Sequence, residues 1–224
     1  MGQLKNSVEL LGYYGSDETI ACSAWTSTSR ELTEGKRERI GKLINMLWSQ
    51  GHETPFEKAT VHFLINVDQA THIHLLKHRM SSFNGESARY KELKEDKYYL
   101  PEDWGNIKPT RDIGEEYDQM NWLKVLQDYT ELGNRLYHQC VADLEPVLGR
   151  KRAKESARFF KTYNSQIQAD VSFNMRSFAN FQKLRNSEHS QLEIREIAGI
   201  MLELVKNIDG NPFEHTIEAW GFDG

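Results

Sequence analysis

Two long stretches of the chain carry apolar residues at helical spacing, and they limit the folds that the rest of the chain can join. One lies between residues 123 and 144, the other between residues 194 and 208. Side chains three and four positions apart share one side of a helix, so each stretch predicts an amphipathic helix with one face in a core. The residues concerned are Leu123, Leu126, Thr130, Gly133, Tyr137, Cys140 and Leu144 in the first stretch, and Ile194, Ile197, Met201, Leu204 and Ile208 in the second.

Strand patterns are shorter and lie mainly ahead of these helices. Apolar side chains alternate along residues 61–67, at Val61, Phe63, Ile65 and Val67, which is typical of a strand. Residues 7–15 predict a short strand that ends in glycine, and residues 162–174 alternate weakly. Internal repeats and low-complexity linkers are absent from the 224 residues, so the pattern predicts a single α+β domain over residues 1–224.

Further helices are indicated by their caps and stops. Ser16 followed by acidic residues predicts a helix through Ala24, and the helical pattern of residues 37–51 ends on Gly51. Asp68 can cap a helix over residues 69–80, and residues 175–186 begin another helix.

Residues 94–118 differ from the rest of the chain. They hold two prolines, two glycines and many charged side chains. Such a composition predicts an exposed excursion rather than a helix or strand, and we expect it to move over a site and help to cover it.

Charge and cysteine usage exclude several classes of protein. The net charge is −5, from 28 basic and 33 acidic side chains, which argues against a nucleic-acid-binding protein with an overall basic surface. Two distant cysteines indicate neither a disulfide framework nor a thiolate zinc site, and suit a reducing compartment. Neither a run of eighteen apolar residues nor a signal-peptide core is present. We therefore expect a cytoplasmic protein with no membrane partner.

The segment "KHRMSSFNGESARY", residues 77–90, gathers an unusual number of hydrogen-bond donors. A short polar loop turning on Gly85 can direct backbone amides at a phosphate, Ser82 and Ser87 add hydroxyls, and Arg79 and Arg89 add fixed charge. These features suit an anion and nucleobase site. The alternative is a solvated loop whose arginines pair with nearby carboxylates, and composition alone leaves both possibilities open.

A second cluster lies about a hundred residues further on. Arg176, Asn180 and Lys183 fall at positions i, i+4 and i+7 and share one polar helix face. Arg185 is expected on a different side, with two phenylalanines, where a guanidinium needs either a partner or a ligand. A stacked or solvent-reaching arginine is the alternative. Arg158 is a third candidate of this type and is ambiguous alone.

The sequence lacks the common motifs for binding metals or dinucleotides. His74 and His78 have the i, i+4 spacing of a zinc pair, but Lys77 between them would repel a cation, so we expect no metal. Neither a Gly-x-Gly-x-x-Gly fingerprint nor a phosphate-binding loop is present. Cys140 lies on an apolar helix face and is most simply a core residue. Taken alone, "GHETPFE", residues 51–57, predicts a structured turn.

Together these segments resemble the flavin-dependent thymidylate synthases. The signature of that family is Arg-His-Arg, two variable residues, Ser, a variable residue, Asn, two variable residues, Ser, a variable residue and Arg. In this sequence it stands as "KHRMSSFNGESAR". "GHETPFE" resembles the characteristic turn of the family, and "NMRSFANFQKLR" its flavin- and nucleotide-binding helix. The similarity runs from about residue 20 to residue 208, with an expanded middle.

The resemblance implies helices packed around a small, mostly antiparallel sheet and a homotetramer with shared active sites. It implies conversion of dUMP to dTMP, with FAD reduced by NADPH and a one-carbon unit from 5,10-methylenetetrahydrofolate. The cofactor carries the difficult step, so no cysteine nucleophile is needed. The implied flavin contacts are Thr54, Lys77, His78, Arg79, Gly85, Asn174, Met175, Arg176 and Asn180. The implied nucleotide contacts are His74, Lys77, Gly85, Glu86, Ser87, Ala88, Arg89, Arg158 and Arg185, of which Arg185 is the catalytic residue that polarises the uracil ring.

Three of these positions depart from the family. Lys77 stands where arginine is usual, which replaces a bidentate fork with a point charge. His74 stands in place of glutamine and Gly85 in place of glutamate. Two other hypotheses compete with the enzyme: a nucleotide- or RNA-binding module that uses residues 77–89, and a metal hydrolase that uses His74, His78 and a carboxylate.

Overall fold

The computed structural model describes residues 2–87, 89–114, 117 and 119–222. The chain divides into two compact units, each made of segments that are distant in sequence. The first unit comprises Met1–Asn6, Asn66–Ile73 and Gly85–Gln168, and the second comprises Ser7–Ile65, His74–Asn84 and Ala169–Gly224. Each unit is described by itself below.

Helices and strands alternate irregularly along the chain. The strands are β1 (Ser7–Tyr14), β2 (Thr60–Asp68), β3 (Ser81–Gly85) and β4 (Gln166–Asn174). The α-helices are α1 (Asp17–Trp25), α2 (Glu34–Arg37), α3 (Ile40–Ser49), α4 (Gln69–Leu75), α5 (Trp122–Leu148), α6 (Arg150–Ala157), α7 (Met175–Arg185), α8 (Leu192–Lys206) and α9 (Glu214–Trp220). Short 3₁₀ segments cover Thr54–Lys58, Glu102–Trp104 and Arg158–Phe160.

One four-stranded sheet has the order β1-β2-β4-β3. The alternation predicted for β2 is confirmed, because Val61, Phe63, Ile65 and Val67 are all fully buried. Helices and a small, mostly antiparallel sheet form the predicted α+β fold class. The expectation of a single domain over residues 1–224 remains a prediction.

The core of the second unit is aromatic and lies between β2, β4 and α7. The rings of Phe63 and Phe178 lie 5.7 Å apart, and those of Phe173 and Phe181 lie 5.2 Å apart. Helix α8 packs against β1 and α7, and α9 packs against α3. Each buried aromatic ring removes 150–250 Å² from water, as an order of magnitude, so this cluster is a large part of the unit's hydrophobic stabilisation.

Side chains cap the helices that begin at predicted positions. Ser16 caps α1 in a capping box with Thr19. The Asp68 carboxylate accepts hydrogen bonds from the backbone N–H and the hydroxyl of Thr71 at the start of α4, both at 2.8 Å. Asn174 caps α7 by accepting from the backbone N–H of Ser177. These bonds satisfy donors that a helix leaves free in its first turn.

The first unit is built on α5 and α6. Tyr137, Val141 and Ala157 form a buried cluster, and Cys140 packs against it as expected of a core residue. Helix α5 approaches the backbone closely at Gly133, where an added Cβ would lie 2.5 Å from the carbonyl oxygen of Phe160. The predicted helix over residues 123–144 is confirmed and is extended at both ends.

Three local predictions need correction. The helix expected over residues 69–80 ends at Leu75. The polar loop expected after it begins as strand β3, whose backbone is paired with β4. In the excursion expected over residues 94–118, Tyr98 and Leu100 are only 4% and 7% exposed, and Tyr98 bridges to Gln3 and Ser165, whereas residues 102–108 and 110–114 are exposed as predicted and residues 115, 116 and 118 lie outside the described residues. Within the described part of the chain, no helix is long and apolar enough to cross a membrane.

Candidate functional site

A cavity of about 790 Å³ opens in the second unit. Ligand sites in proteins commonly measure about 300–1,000 Å³, so the cavity is large enough for a cofactor. The residues that line it come from the end of α3, the Thr54–Lys58 region, the turn after α4, the end of β4, α7, and the end of α9 with the chain that follows it. They are Trp48, Glu53, Glu57, Lys77, His78, Arg79, Met80, Phe173, Asn174, Arg176, Ser177, Ala179, Asn180, Lys183, Leu184, Arg185, Trp220 and Phe222.

The turn after α4 places three of the predicted residues in this cavity. The backbone N–H groups of Lys77 and His78 donate to the carbonyl oxygens of His74 and Leu75, which closes the turn that follows the helix. Lys77 and Arg79 are exposed, and neither has a carboxylate partner among the described residues. Two cations without counter-ions at a cavity wall favour an anionic ligand.

His78 and Arg185 meet at this wall. The Nε–H of Arg185 donates to Nε2 of His78 across 3.0 Å, so the imidazole is neutral and carries its proton on Nδ1. Burial, then the positive charge of Arg185, then His74, lower the pKa of His78 to about 4. The His78 ring also packs edge-on against Phe181, with ring centroids 5.0 Å apart. The neutral ring therefore orients Arg185 without cancelling its charge.

The polar face predicted on α7 is confirmed, since Arg176, Asn180 and Lys183 all line the cavity. Arg176 is held by two acids: its Nε donates to Glu53 and its Nη1 to Glu57, both at 2.7 Å. These partners, Glu57 first, raise the pKa of Arg176. Lys183 has no ion-pair partner in the described parts of the chain.

The position of Arg185 differs from the prediction. Helical spacing placed it on another side of α7 from Arg176, Asn180 and Lys183, yet it lines the same cavity. Arg185 is the last residue of α7, so its side chain extends past the end of the helix and reaches the turn that holds His78. A face rule derived from the middle of a helix does not apply at its end.

Several lining residues were missed in the sequence. Glu53 and Glu57 lie in the quoted turn, but their ion pairs with Arg176 span 123 and 119 residues and leave no local pattern. Trp48 lies on the predicted helix that ends near Gly51. Trp220 and Phe222 lie at and after the end of α9, which is too short for a periodic signal.

Four other residues of the second unit were predicted to bind flavin or nucleotide, and only one of them lines the cavity. Asn174 lines the cavity while capping α7. Met175 is fully buried and belongs to the core, where its backbone N–H donates to Ala59. Thr54 is exposed and lies between the two acids that hold Arg176, but it does not line the cavity. His74 is half-buried, and among the described residues its Nδ1 has no hydrogen-bond partner.

The remaining candidates belong to the first unit. Glu86 accepts from Lys91 at 2.9 Å and from the backbone of Gln168 at 2.8 Å, so this carboxylate is fixed in place. The Ser87 hydroxyl accepts from the backbone N–H of Arg89, at 3.3 Å.

The two arginines of this unit differ in their partners. Arg89 donates to Glu155 at 2.6 Å, whereas Arg158 is exposed and has no ion-pair partner in the described ranges. Gly85 is the exposed last residue of β3, and Ala88 lies outside the described residues. Arg158 is therefore the free cation among the first-unit candidates that the structure describes.

The chemistry available at the cavity is the binding of anions and planar rings. Lys77, Arg79 and Lys183 supply positive charge, and Arg185 supplies an oriented guanidinium. Among the residues that the structure describes, no group of three or more histidine, cysteine, aspartate or glutamate side chains could hold a metal ion.

Comparisons with known proteins show a family match over most of the chain. The sequence model described as "Thymidylate synthase complementing protein" matches residues 9–209. The flavin-dependent thymidylate synthase of Pseudothermotoga lettingae is 32% identical over 201 residues, which cover 90% of this chain and 85% of that protein. The flavin-dependent thymidylate synthase of Clostridium tetani is 28% identical over 220 residues, which cover 93% of this chain and 86% of that protein.

A solved structure has the same fold. It is the UMP/dUMP methylase PolB from Streptomyces cacaoi, bound with 5-Br dUMP, with a TM-score of 0.79 at 24% identity, over 99% of this chain and 97% of that one. The family match and the relatives extend over nine-tenths of the sequence. The chain belongs to the thymidylate synthase complementing protein family, that of the flavin-dependent thymidylate synthases.

Proposed function

We propose that this protein is a flavin-dependent thymidylate synthase that converts dUMP to dTMP. The one-carbon donor is 5,10-methylenetetrahydrofolate, and NADPH reduces the bound FAD. The observation that carries the proposal is the contact between His78 and Arg185 in the wall of a cationic cavity. Membership of the family supports the choice of substrates.

The residues of the cavity fit FAD. Its diphosphate needs positive charge, and Lys77, Arg79 and Lys183 offer it, since none of the three is paired with a carboxylate among the described residues. Asn174 and Asn180 add amide donors and acceptors. Aromatic side chains supply surfaces on which planar rings can stack. When bound and reduced, FAD supplies the hydride that the methylation requires.

Arg185 is the residue that we assign to the nucleotide ring. Its Nε is engaged by His78, and neither Nη atom has a hydrogen-bond partner among the described residues. Both amino groups are therefore free to donate to a carbonyl oxygen of uracil. A fixed guanidinium would stabilise negative charge as it develops on the ring during methylation.

The first-unit candidates are proposed as contacts to the rest of dUMP. Arg158, exposed and without an ion-pair partner in the described ranges, suits the phosphate, and Arg89 can join it if it exchanges Glu155 for the ligand. Glu86 is held firmly enough to accept from a ribose hydroxyl. His74, Lys77, Gly85, Ser87 and Ala88 complete the proposed set. Lys77 would meet the phosphate as a point charge rather than as a fork.

We also propose a homotetramer with shared active sites. Helix α5 supports the assembly, because Tyr129, Leu132 and Leu136 are 61%, 43% and 41% exposed on it. These residues recur at helical spacing, so they form one apolar stripe. Light scattering coupled to size-exclusion chromatography would measure the mass, which we expect to be four times that of the chain.

Two measurements test the activity. The purified protein should show the absorbance of oxidised flavin, directly or after addition of FAD, and NADPH should bleach it. With methylenetetrahydrofolate added, the protein should release tritium from dUMP labelled at C5. Replacement of Arg185 by lysine should lower the rate of release at least tenfold, as an order of magnitude, because a point charge replaces an oriented fork.

The matched control is Arg39→Lys, since Arg39 is exposed just before α3, does not line the cavity and has no ion-pair partner in the described ranges. This variant should release tritium at the wild-type rate. A protein that takes up no FAD would contradict the proposal. Salt-sensitive RNA binding without flavin would support the binding-module hypothesis instead.

A further inference from the structure

Glu155 on α6 lies between two arginines of the first unit. One of its carboxylate oxygens accepts from the Nε–H of Arg89 across 2.6 Å, and the other lies 3.8 Å from Nη1 of Arg152. The first contact is a hydrogen bond, whereas the second is too long for one. The hydrogen bond to Arg89, followed by the charges of Lys151 and Arg152, lowers the pKa of Glu155, so the carboxylate is ionised at neutral pH. One carboxylate therefore has two guanidinium partners and holds only one of them closely.

The three side chains differ in their freedom to move. The side chain of Glu155 is 18% exposed, whereas those of Arg89 and Arg152 are 50% and 62% exposed. Among the described residues, neither Nη atom of Arg89 has a hydrogen-bond partner, and Arg152 makes no other ion pair. The two arginines can therefore change partners by rotating in solvent while the carboxylate stays in place.

The backbone that carries Arg89 is fixed from two sides. The backbone N–H groups of Tyr90 and Lys91 both donate to the carbonyl oxygen of Ser87, at 3.0 Å. From α6, the buried ammonium group of Lys154 donates to the carbonyl oxygen of Tyr90 at 3.1 Å. A change of partner by Arg89 is therefore confined to its side chain, and the turn around it need not move.

The same helix brings a third arginine close to this pair. Arg158 follows Glu155 by three residues, so the two side chains are neighbours on the surface of α6 and its C-cap. The inference rests on the proposed function, in which Arg158 and Arg89 contact the phosphate of dUMP. We propose that Glu155 is a positioning residue that holds Arg89 beside Arg158 until the phosphate binds, then releases it to the phosphate and pairs with Arg152 instead.

The charges of the groups favour this exchange. A phosphate monoester carries about −1.5 to −2 charges at pH 7 and has three acceptor oxygens, whereas Glu155 carries one charge. The phosphate is therefore the stronger partner for a guanidinium whose Nη groups are free. Arg152 keeps Glu155 from being left as a partly buried charge without a counter-ion, which would be costly. It follows that Glu155 competes with dUMP for Arg89 and that Arg152 assists dUMP.

Calorimetric titration of the FAD-saturated protein with dUMP and with deoxyuridine tests the exchange. Glu155→Gln removes the competitor and should tighten binding of dUMP about two- to fivefold, the range expected of an exposed ion pair. Arg152→Gln should weaken it by a similar factor, because Glu155 then retains Arg89. In the double variant, the change at Arg152 should have no further effect, because its partner is absent. Deoxyuridine, which lacks the phosphate, should bind all four proteins equally.

Glu38→Gln is the control for the loss of one negative charge, because Glu38 is exposed between α2 and α3. It should bind dUMP as wild type does. Thermal unfolding of each variant checks that it is folded.

The outcomes separate this inference from the proposed function. If Arg152→Gln weakens dUMP binding equally with and without Glu155, the effect is one of general charge and the exchange is wrong. Unchanged or weaker binding of dUMP in Glu155→Gln would also overturn it, as would equal gains for dUMP and deoxyuridine, while the enzyme assignment would stand. A wild-type protein that binds FAD but no dUMP would contradict the proposed function and the exchange together.

Discussion

The side chains of Arg185 and His78, 107 residues apart in the sequence, meet in one hydrogen bond of 3.0 Å from Nε to Nε2. The acceptor is a neutral imidazole whose pKa is lowered to about 4 by burial, Arg185 and His74. A carboxylate in its place would hold the guanidinium as firmly but would cancel much of its charge. The neutral partner leaves Arg185 both oriented and fully cationic, which is what a group that stabilises a developing anion needs.

Replacement of His78 by phenylalanine tests this positioning role. The variant keeps a ring against Phe181 but removes the acceptor for Arg185. A hydrogen bond to a charged group is worth about 1.5–3 kcal/mol, so we expect kcat for tritium release to fall by about 10- to 100-fold. The measurement is made at saturating FAD, because His78 is also a proposed flavin contact. We expect KM for dUMP to change less than kcat.

His78→Gln is the matched variant, since its side-chain oxygen can accept from Arg185. It should recover a substantial part of the rate that phenylalanine loses. If both variants lose the same rate at saturating FAD, the hydrogen bond to Arg185 is not what matters at this position.

The same histidine makes stability depend on pH. Its ordinary pKa is 6.5, and its pKa in the folded protein is about 4. Between these values the unfolded chain binds more protons at His78 than the folded protein does, so the free energy of unfolding rises with pH. The contribution is fully present above pH 6.5 and is lost as the pH falls towards 4. Since His78 is partly exposed, we expect about 1–2 kcal/mol across this window.

Urea denaturation at pH 4.5, 5.5, 6.5 and 7.5 measures this effect as the difference between wild type and His78→Phe. That difference removes the contribution of Asp17, whose pKa is raised by burial and which acts in the opposite direction. It also removes that of His72, whose pKa is lowered by burial. Parallel stability curves for the two proteins would show that His78 titrates normally.

Removal of one of the two carboxylates that pair with Arg176 should increase the affinity for an anionic cofactor. Arg176 donates to Glu53 and Glu57, so the three side chains together carry one negative charge at the cavity wall. Glu57→Gln removes that charge. We therefore expect FAD to bind about two- to fivefold more tightly at low salt, with the gain reduced at 0.5 M salt, where charges are screened within a few ångströms.

Glu9→Gln is the control for this change of net charge, because Glu9 is exposed on β1 and does not line the cavity. Its affinity for FAD should match that of wild type at both salt concentrations. Weaker binding in Glu57→Gln would mean that the carboxylate itself accepts a hydrogen bond from the ligand.

Elements with a clear period could be predicted from the sequence, and those that depend on distant partners could not. In β2, α5 and α8 the spacing of apolar residues along the sequence matches the side of the element that is buried. Strand β3 has the sequence "SSFNG", and pairing with β4, from more than 80 residues away, gives it its structure. Helices α2 and α9, of four and seven residues, are too short to show a period.

In the candidate site, too, features set by local spacing could be predicted and features set by distant partners could not. The face of Arg176, Asn180 and Lys183 could be predicted because it depends only on spacing within one helix. The partner of Arg185 could not, because the turn that carries His78 belongs to another part of the chain. Trp220 and Phe222 line the cavity and were missed for a further reason: they belong to no sequence motif, and Trp220 packs beside Trp48, which is distant in the sequence.

The close approach of α5 to the backbone at Gly133 gives a prediction about the first unit. A Cβ at this position would lie 2.5 Å from the carbonyl oxygen of Phe160, and a backbone oxygen cannot move aside as the end of a side chain can. Gly133→Ala must therefore shift α5 or the Arg158–Phe160 segment, at a cost of about 1–3 kcal/mol typical of overpacking. Because that segment carries Arg158, we also expect weaker binding of dUMP, while FMN should bind as in wild type.

Gly35→Ala is the matched substitution, because Gly35 lies in α2 and an added Cβ would meet nothing within 4 Å. Alanine has the higher helix propensity and reduces the freedom of the unfolded chain, so this variant should be neutral or more stable by about 0.5–1 kcal/mol. Urea denaturation measures both proteins under the same conditions. Equal stabilities for the two variants would mean that α5 can move away from Phe160 at no cost, and the unit would then be less tightly packed than this contact implies.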